Sequence, residues 1–160
     1  MGRHDGVWQL TMADPHTGLA NKNLTLDRLD QALARRERHN GDVMVMYIHL
    51  VNIEEYGYDL GMEALGGLSR RLMSSLRDED TAGRVAGNAV VLVVSFDSGK
   101  SMEMIAQRLE ATCQRPFIVG GRSVHLSARF GAVLANGDES AEEVLERARL
   151  ASQVEVAAQV

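Results

Sequence analysis

An α/β fold, with a mixed sheet of about five strands and helices on both of its faces, is the architecture this sequence predicts. Three observations carry that expectation. Residues 43–51 read VMVMYIHLV, an almost unbroken apolar run of strand length, the pattern of a strand buried on both faces. Helical stripes and short β-forming runs follow one another in the order α-β-α-β-β-α-β-β-α. The chain has 160 residues, 45% hydrophobic and 24% charged, which suits one globular core.

The elements can be justified in turn. Between 26 and 39, Leu26, Leu29, Ala32 and Leu33 recur at helical spacing with Arg and Asp opposite, and Asn40-Gly41 supplies the stop. The apolar run 43–51 takes the centre of the sheet. Leu65, Leu68, Leu72 and Leu76 line a second helix, which ends in the charged turn Arg77-Asp78-Glu79-Asp80. Two short strands, 81–85 and 89–96, flank Ala86-Gly87-Asn88, a small-residue break of hairpin type. Met102, Ile105, Ala106, Leu109 and Cys113 form a third stripe, ended by Pro116. Runs 117–119 and 124–133 then bracket the turn Gly120-Gly121. Ser140 and Glu143 make a capping box for the last helix, whose buried face is Val144, Leu145, Ala148 and Ala151. No repeat or linker interrupts this order, so the expectation is a flank or linker over 1–12 and one domain over 13–160.

The totals exclude several function classes. A net charge of −5 argues against broad contact with nucleic acid or anionic membrane, both of which need basic patches. Cys113 is the only cysteine, which rules out an internal disulfide and a cysteine metal site and fits a reducing, cytoplasmic location. No run approaches the about eighteen apolar residues of a membrane span, and Met1 to Gly6 lacks the apolar core of a signal peptide.

Asp14-Pro15-His16-Thr17-Gly18-Leu19-Ala20-Asn21-Lys22 resembles the D-x-L-T-G-L-x-N-R segment that opens GGDEF domains, the diguanylate-cyclase modules. The later Arg129-Phe130-Gly131-Ala132 sits where that family shows S-I-G-V. Placing Arg84-Val85-Ala86-Gly87-Asn88-Ala89-Val90 on the family's R-x-G-G-D-E-F leaves one of the five signature residues, Gly87. The resemblance covers Ala13 to the C-terminus and implies a nucleotidyl-cyclase-like fold, a ferredoxin-like palm.

It also implies what is missing. In active members two acids, one at the end of the central strand and one in the signature, hold divalent metal against GTP. His49 and Asn88 stand at those positions here, and the next acid of the signature is Ala89. The guanine-recognising residues fall near Gly57 and Leu65, whose side chains cannot read a base edge. The expectation is a degenerate domain with no catalytic residues, no metal and no cofactor. Glu54, Glu55 or Asp59 could supply a substitute carboxylate, but they are expected on the following helix.

The family's product-binding R-x-x-D motif maps onto Arg77 and Asp80, five residues before the signature. An Arg guanidinium can bond guanine O6 and N7, and a carboxylate can accept from guanine N–H groups, so cyclic-di-GMP is a candidate ligand. The other reading is a solvated turn. Asp78 and Glu79 repel an anionic dinucleotide unless Arg84, or Arg70 and Arg71, offset them.

Two roles follow from the resemblance. The first is a regulatory or scaffolding module fused to an EAL phosphodiesterase or a sensor domain, binding cyclic-di-GMP or pairing as a homodimer. The second is a weak diguanylate cyclase or a GTP-binding allosteric activator of a fused phosphodiesterase. Other features have plainer readings. The histidines His4, His16, His39, His49 and His125 show no metal spacing, Gly57, Gly61, Gly66 and Gly67 suit close helix packing, Lys100 is a turn lysine, and Cys113 is a small core residue.

Overall fold

The computed structural model describes residues 12–158. Helix α1 (Lys22–His39) leads into strand β1 (Gly41–Leu50), and a 3-10 turn (Ile53–Tyr56) leads into helix α2 (Gly57–Ser75). A hairpin of β2 (Thr81–Ala86) and β3 (Ala89–Asp97) comes next, followed by α3 (Met102–Gln114). The short strands β4 (Phe117–Val119) and β5 (Arg122–Val124), then β6 (Ala128–Leu134) and α4 (Ala141–Ala158), complete the chain. Apart from Met12, the expected flank and His4 lie outside the described residues.

β1 is central because it is the most apolar segment and can be paired on both edges. The sheet runs β2-β3-β1-β6, antiparallel throughout. This is the split βαβ order of a ferredoxin-like palm. Four strands form the sheet rather than about five, and β4 and β5 make a separate ribbon. The parallel component of the expected mixed sheet is confined to one isolated bridge, Ala20 to Gly83.

The period-two geometry of β1 builds both cores. Met44, Met46, Ile48 and Leu50 point into a layer with Leu65, Leu68 and Leu72 of α2 and Leu109 of α3. Val43, Val45 and Tyr47 point the other way, against Leu29 and Leu33 of α1 and Val144 and Ala148 of α4. Helices therefore cover both faces.

Local chemistry sets the boundaries. α1 begins four residues before the apolar stripe because Asn21 caps it, accepting from Leu24 N–H at 3.0 Å, and buried Thr25 bonds back to Asn21 O at 2.7 Å. A Cβ on Gly83 would overlap the Thr25 side chain, so glycine lets α1 lie against β2. Asn40, in the left-handed region at φ 52°, ends α1. The Ser140 and Glu143 capping box forms as expected, with bonds of 3.1 and 2.9 Å.

The run 124–133 is not one strand. Asn52 donates to His125 O at 3.0 Å and accepts from Ser127 N–H at 2.8 Å, and the Tyr56 hydroxyl donates to His125 O at 3.0 Å. Those bonds bend the chain, leaving Val124 in the ribbon and starting β6 at Ala128.

Gly131 marks a second close helix-to-sheet approach, since a Cβ there would fall on backbone atoms of α4, Ala148 O and Ser152 N. Gly131→Ala is expected to destabilise the fold by about 2 kcal/mol, seen as a lower urea midpoint at unchanged slope. Gly137→Ala, which faces open space, serves as the control and should shift little.

Candidate functional site

The antiparallel register brings the end of β1 against two neighbours at once. His49 lies opposite Ala89 of β3 and opposite Arg129 of β6. Leu50 N–H donates to Asn88 O at 2.8 Å, which holds the β2-β3 hairpin tip over the strand end. The expected positions His49, Asn88 and Ala89 are thus together in space. Asn88 Nδ2 donates to His49 Nε2 at 3.0 Å, so the imidazole accepts there and carries its proton on Nδ1. Burial, and then the nearby charge of Arg129, hold the His49 pKa below its ordinary value. Its neutral form is the one this hydrogen bond needs.

These groups open onto a cleft of about 390 Å³ with Asn52, Glu54, Glu55 and Arg129 on its walls. Glu54 and Glu55 are on the 3-10 turn rather than on α2, because Glu55 N–H bonds to Asn52 O at 3.1 Å and closes a turn of its own. Asp59 does lie in the first turn of α2. The side chains of His49 and Asn88 do not fit the task of holding a divalent cation against a triphosphate. A neutral imidazole bonded to a neutral amide offers no anionic oxygen, and Arg129 adds positive charge where a cation would sit. Among the described residues no three His, Cys, Asp or Glu side chains converge on one point. Gly57, at φ 79°, opens α2, and Leu65 is fully buried in the core.

The segment 14–21 works as a strap. Asp14 accepts from the Thr17 hydroxyl at 2.7 Å and amide at 2.9 Å, and pairs with Arg84 at 3.3 Å. Arg84 also donates to Gly87 O at 2.8 Å, tying the strap to the hairpin tip. Arg84 N–H bonds to Ala20 O at 2.8 Å, which joins the strap to β2.

Arg77 and Asp80 are also together, and both are engaged. The Asp80 side chain is only 3% exposed. One of its oxygens accepts from Ser95 N–H at 3.2 Å and the other from Arg77 N–H at 3.0 Å. The Arg77 guanidinium bonds Ser95 O and pairs with Glu79 at 3.0 Å. It borders a cleft of about 330 Å³ with Arg35, Arg36 and His39 of α1 and Asp42, Glu79 and Asp97. The cations beside Arg77 therefore come from α1, not from Arg84, Arg70 or Arg71. Arg84 is held by Asp14. Arg71 stacks on the Phe117 ring at 3.7 Å and bonds Arg115 O at 2.7 Å.

Sequence reasoning gave no role to Arg129, although its position was marked by an Arg where the family shows Ser. Arg36, whose guanidinium bonds Ala135 O and Gly137 O at 3.0 and 3.1 Å, carried no local signal. Cys113 is buried, and burial with the charge of Glu110 pushes its thiol up to about 12, so it is not a nucleophile. Of the four α2 glycines, Gly61 and Gly67 meet Ile53 and Phe117 closely, whereas Gly57 faces open space and Gly66 meets only the Arg70 guanidinium.

A ferredoxin-like palm with a hairpin tip folded over the end of its central strand defines a nucleotidyl-cyclase-like domain. The family model described as "Diguanylate cyclase, GGDEF domain" matches residues 11–157, and the chain belongs to that family, as a GGDEF domain of cyclic-di-GMP signalling. It is 30% identical over 145 residues to diguanylate cyclase DgcP of Pseudomonas aeruginosa, covering 88% of this chain and 22% of the relative. It is 28% identical over 153 residues to the cyclic di-GMP phosphodiesterase NbdA of the same species, covering 92% of this chain and 20% of that protein. The chain thus spans about a fifth of the length of these curated relatives. Among solved structures, a sensory box/GGDEF protein from Caulobacter crescentus superposes with a TM-score of 0.81 at 25% identity, covering 89% of this chain and 96% of that one. The GGDEF domain of Caulobacter crescentus DgcB, solved with c-di-GMP, has the same fold at a TM-score of 0.79 and 18% identity, covering 93% and 89%.

The strap carries a pH dependence. Burial raises the Asp14 pKa, but the Thr17 hydrogen bonds and the charge of Arg84 outweigh it and hold the carboxyl below its usual range. A depressed carboxylate contributes stability that is full above the unfolded-state pKa and is lost as pH falls through the lower folded-state value. In denaturation series carried below about pH 4, Asp14→Asn should therefore flatten the acid loss of stability. An unchanged slope would remove Asp14 from that loss.

Proposed function

We propose that this GGDEF domain turns over no GTP and works by contact, as a regulatory or scaffolding module of a longer protein that carries an EAL or sensor domain. The observation that carries the reading is the bond between His49 and Asn88. Phosphoryl transfer depends on positioning and on neutralising charge with metal. At the two positions where the family's carboxylates would hold that metal, this chain makes a neutral hydrogen bond, and Ala89 beside them supplies no charge. Glu54 and Glu55 wall the same cleft but are exposed on a separate turn.

A second reading, binding of cyclic-di-GMP at Arg77 and Asp80, is favoured by the cleft that Arg77 shares with Arg35, Arg36 and His39. Its cost is visible. The ligand must draw Arg77 from Glu79 and Ser95 O, and Asp80 has to accept from guanine with both oxygens already engaged. In the unliganded domain the pair locks the turn between α2 and β2. The weak-cyclase or GTP-activator alternative has support only from Arg129, a cation that could face a phosphate.

Incubation with GTP and Mg²⁺ or Mn²⁺ is expected to yield no cyclic-di-GMP, and formation of that product above the buffer control contradicts the reading. Calorimetry with cyclic-di-GMP, beside Arg77→Ala, separates the roles of the pair. Heat that disappears in the variant supports the ligand site. Absence of heat, with a stability loss of about 1 kcal/mol in Arg77→Ala, leaves the turn-locking role alone.

A further inference from the structure

β6 is the outer strand of the sheet, and its free edge looks into a groove of about 700 Å³ between α3 and α4. In an antiparallel pair, residues whose N–H and C=O bond the partner alternate with residues whose groups point away. Both ends of the pairing with β1 fix the phase: Ala135 N–H donates to Val43 O at 2.9 Å, and Val51 N–H donates to Ser127 O at 3.0 Å. Alternation through the register then turns Arg129, Gly131 and Val133 toward β1. The backbone groups of Ala128, Phe130 and Ala132 point outward. Among the described residues none of these outward groups has a hydrogen-bond partner, whereas the outward Leu134 O accepts from Arg147 at 2.6 Å.

A row of unpaired N–H and C=O groups is a template for another strand. The walls of the groove suit one. Met102 and Ala106 line one side and Ala151, Leu150 and Val154 the other, the last two 46% and 68% exposed. The rim is acidic, since Glu103 and Glu110 stand on α3. Across from them Arg147 is already neutralised by Glu139 through bonds of 2.7 and 2.9 Å.

We propose that this edge is a docking site for an extended segment of a partner protein, taken up antiparallel or parallel to β6 as a fifth strand, with apolar side chains at alternate positions and basic residues toward α3. Charge selects this occupant over a second copy of the chain. Two β6 edges brought together would set Glu103 and Glu110 of one copy near those of the other, and like charges across an interface oppose association. The site is separate from the His49 cleft and from Arg77, so it does not depend on whether either binds a nucleotide.

The test uses the isotope-labelled chain and a short capped peptide of alternating valine and threonine with a lysine at each end. Its addition should shift the amide resonances of Ala128, Phe130 and Ala132 most and slow their hydrogen exchange. The same peptide ended in glutamate should bind about tenfold more weakly, and the double variant Glu103→Lys, Glu110→Lys should reverse that preference. Ala132→Pro removes one outward N–H without touching the ladder to β1 and should abolish binding. Should Ala132→Pro not fold, the charge reversal decides. Shifts centred elsewhere, or no preference between the two peptides, overturn the proposal. So does protection of these amides without peptide in a concentration-dependent dimer, which assigns the edge to a second copy.

Discussion

Burial of β1 on both faces and pairing on both edges is the constraint from which the rest of this domain follows. Once Met44, Met46, Ile48 and Leu50 fill one core layer and Val43, Val45 and Tyr47 the other, the strand can neither slip nor turn over without exposing a whole face. Its antiparallel partners then fix what surrounds its last residues. The β2-β3 hairpin tip closes from one side and the first residues of β6 from the other, so His49, Asn88 and Arg129 meet because the register of a buried strand requires it. The site is built by the fold, and only its side chains decide its chemistry.

Those side chains put a neutral hydrogen-bonded pair, His49 and Asn88, at the strand end. An acid at the strand end and an acid in the hairpin would repel one another and require a cation between them. An imidazole and an amide satisfy each other directly at 3.0 Å, and the cation present is the guanidinium of Arg129. The pair therefore stabilises the hairpin closure in the absence of metal. A similar economy holds at Arg77 and Asp80. Asp80 links the turn after α2 to β3 through Ser95 N–H, and its burial fits a structural duty in that turn.

The fold was legible wherever the signal was local. The apolar run of β1, the leucine stripe of α2 and the capping box of α4 each state their structure within a few residues. The break between β5 and β6 was not legible, because the groups that bend the chain at His125 belong to Asn52 and Tyr56, far away in sequence. The start of α1 was hidden for a related reason, since Thr25 is buried by a tertiary contact with Gly83 that no hydrophobic periodicity reports. At the site, the resemblance marked His49, Asn88 and Ala89, and the register places them together. Arg129 could be read as an unusual residue, but that it faces His49 depends on the pairing of β6 with β1. Placing Glu54 and Glu55 on a separate turn likewise needed the bond from Asn52.

The central proposal is that this strand end carries a neutral hydrogen bond and holds no metal against GTP. It is tested most directly by adding Mn²⁺ with GTP to the isotope-labelled domain and reading paramagnetic broadening residue by residue. The account predicts no broadening localised at His49, Asn88 and Ala89 beyond that of exposed acidic surface. Selective broadening of those three resonances at low Mn²⁺, dependent on GTP, would contradict it.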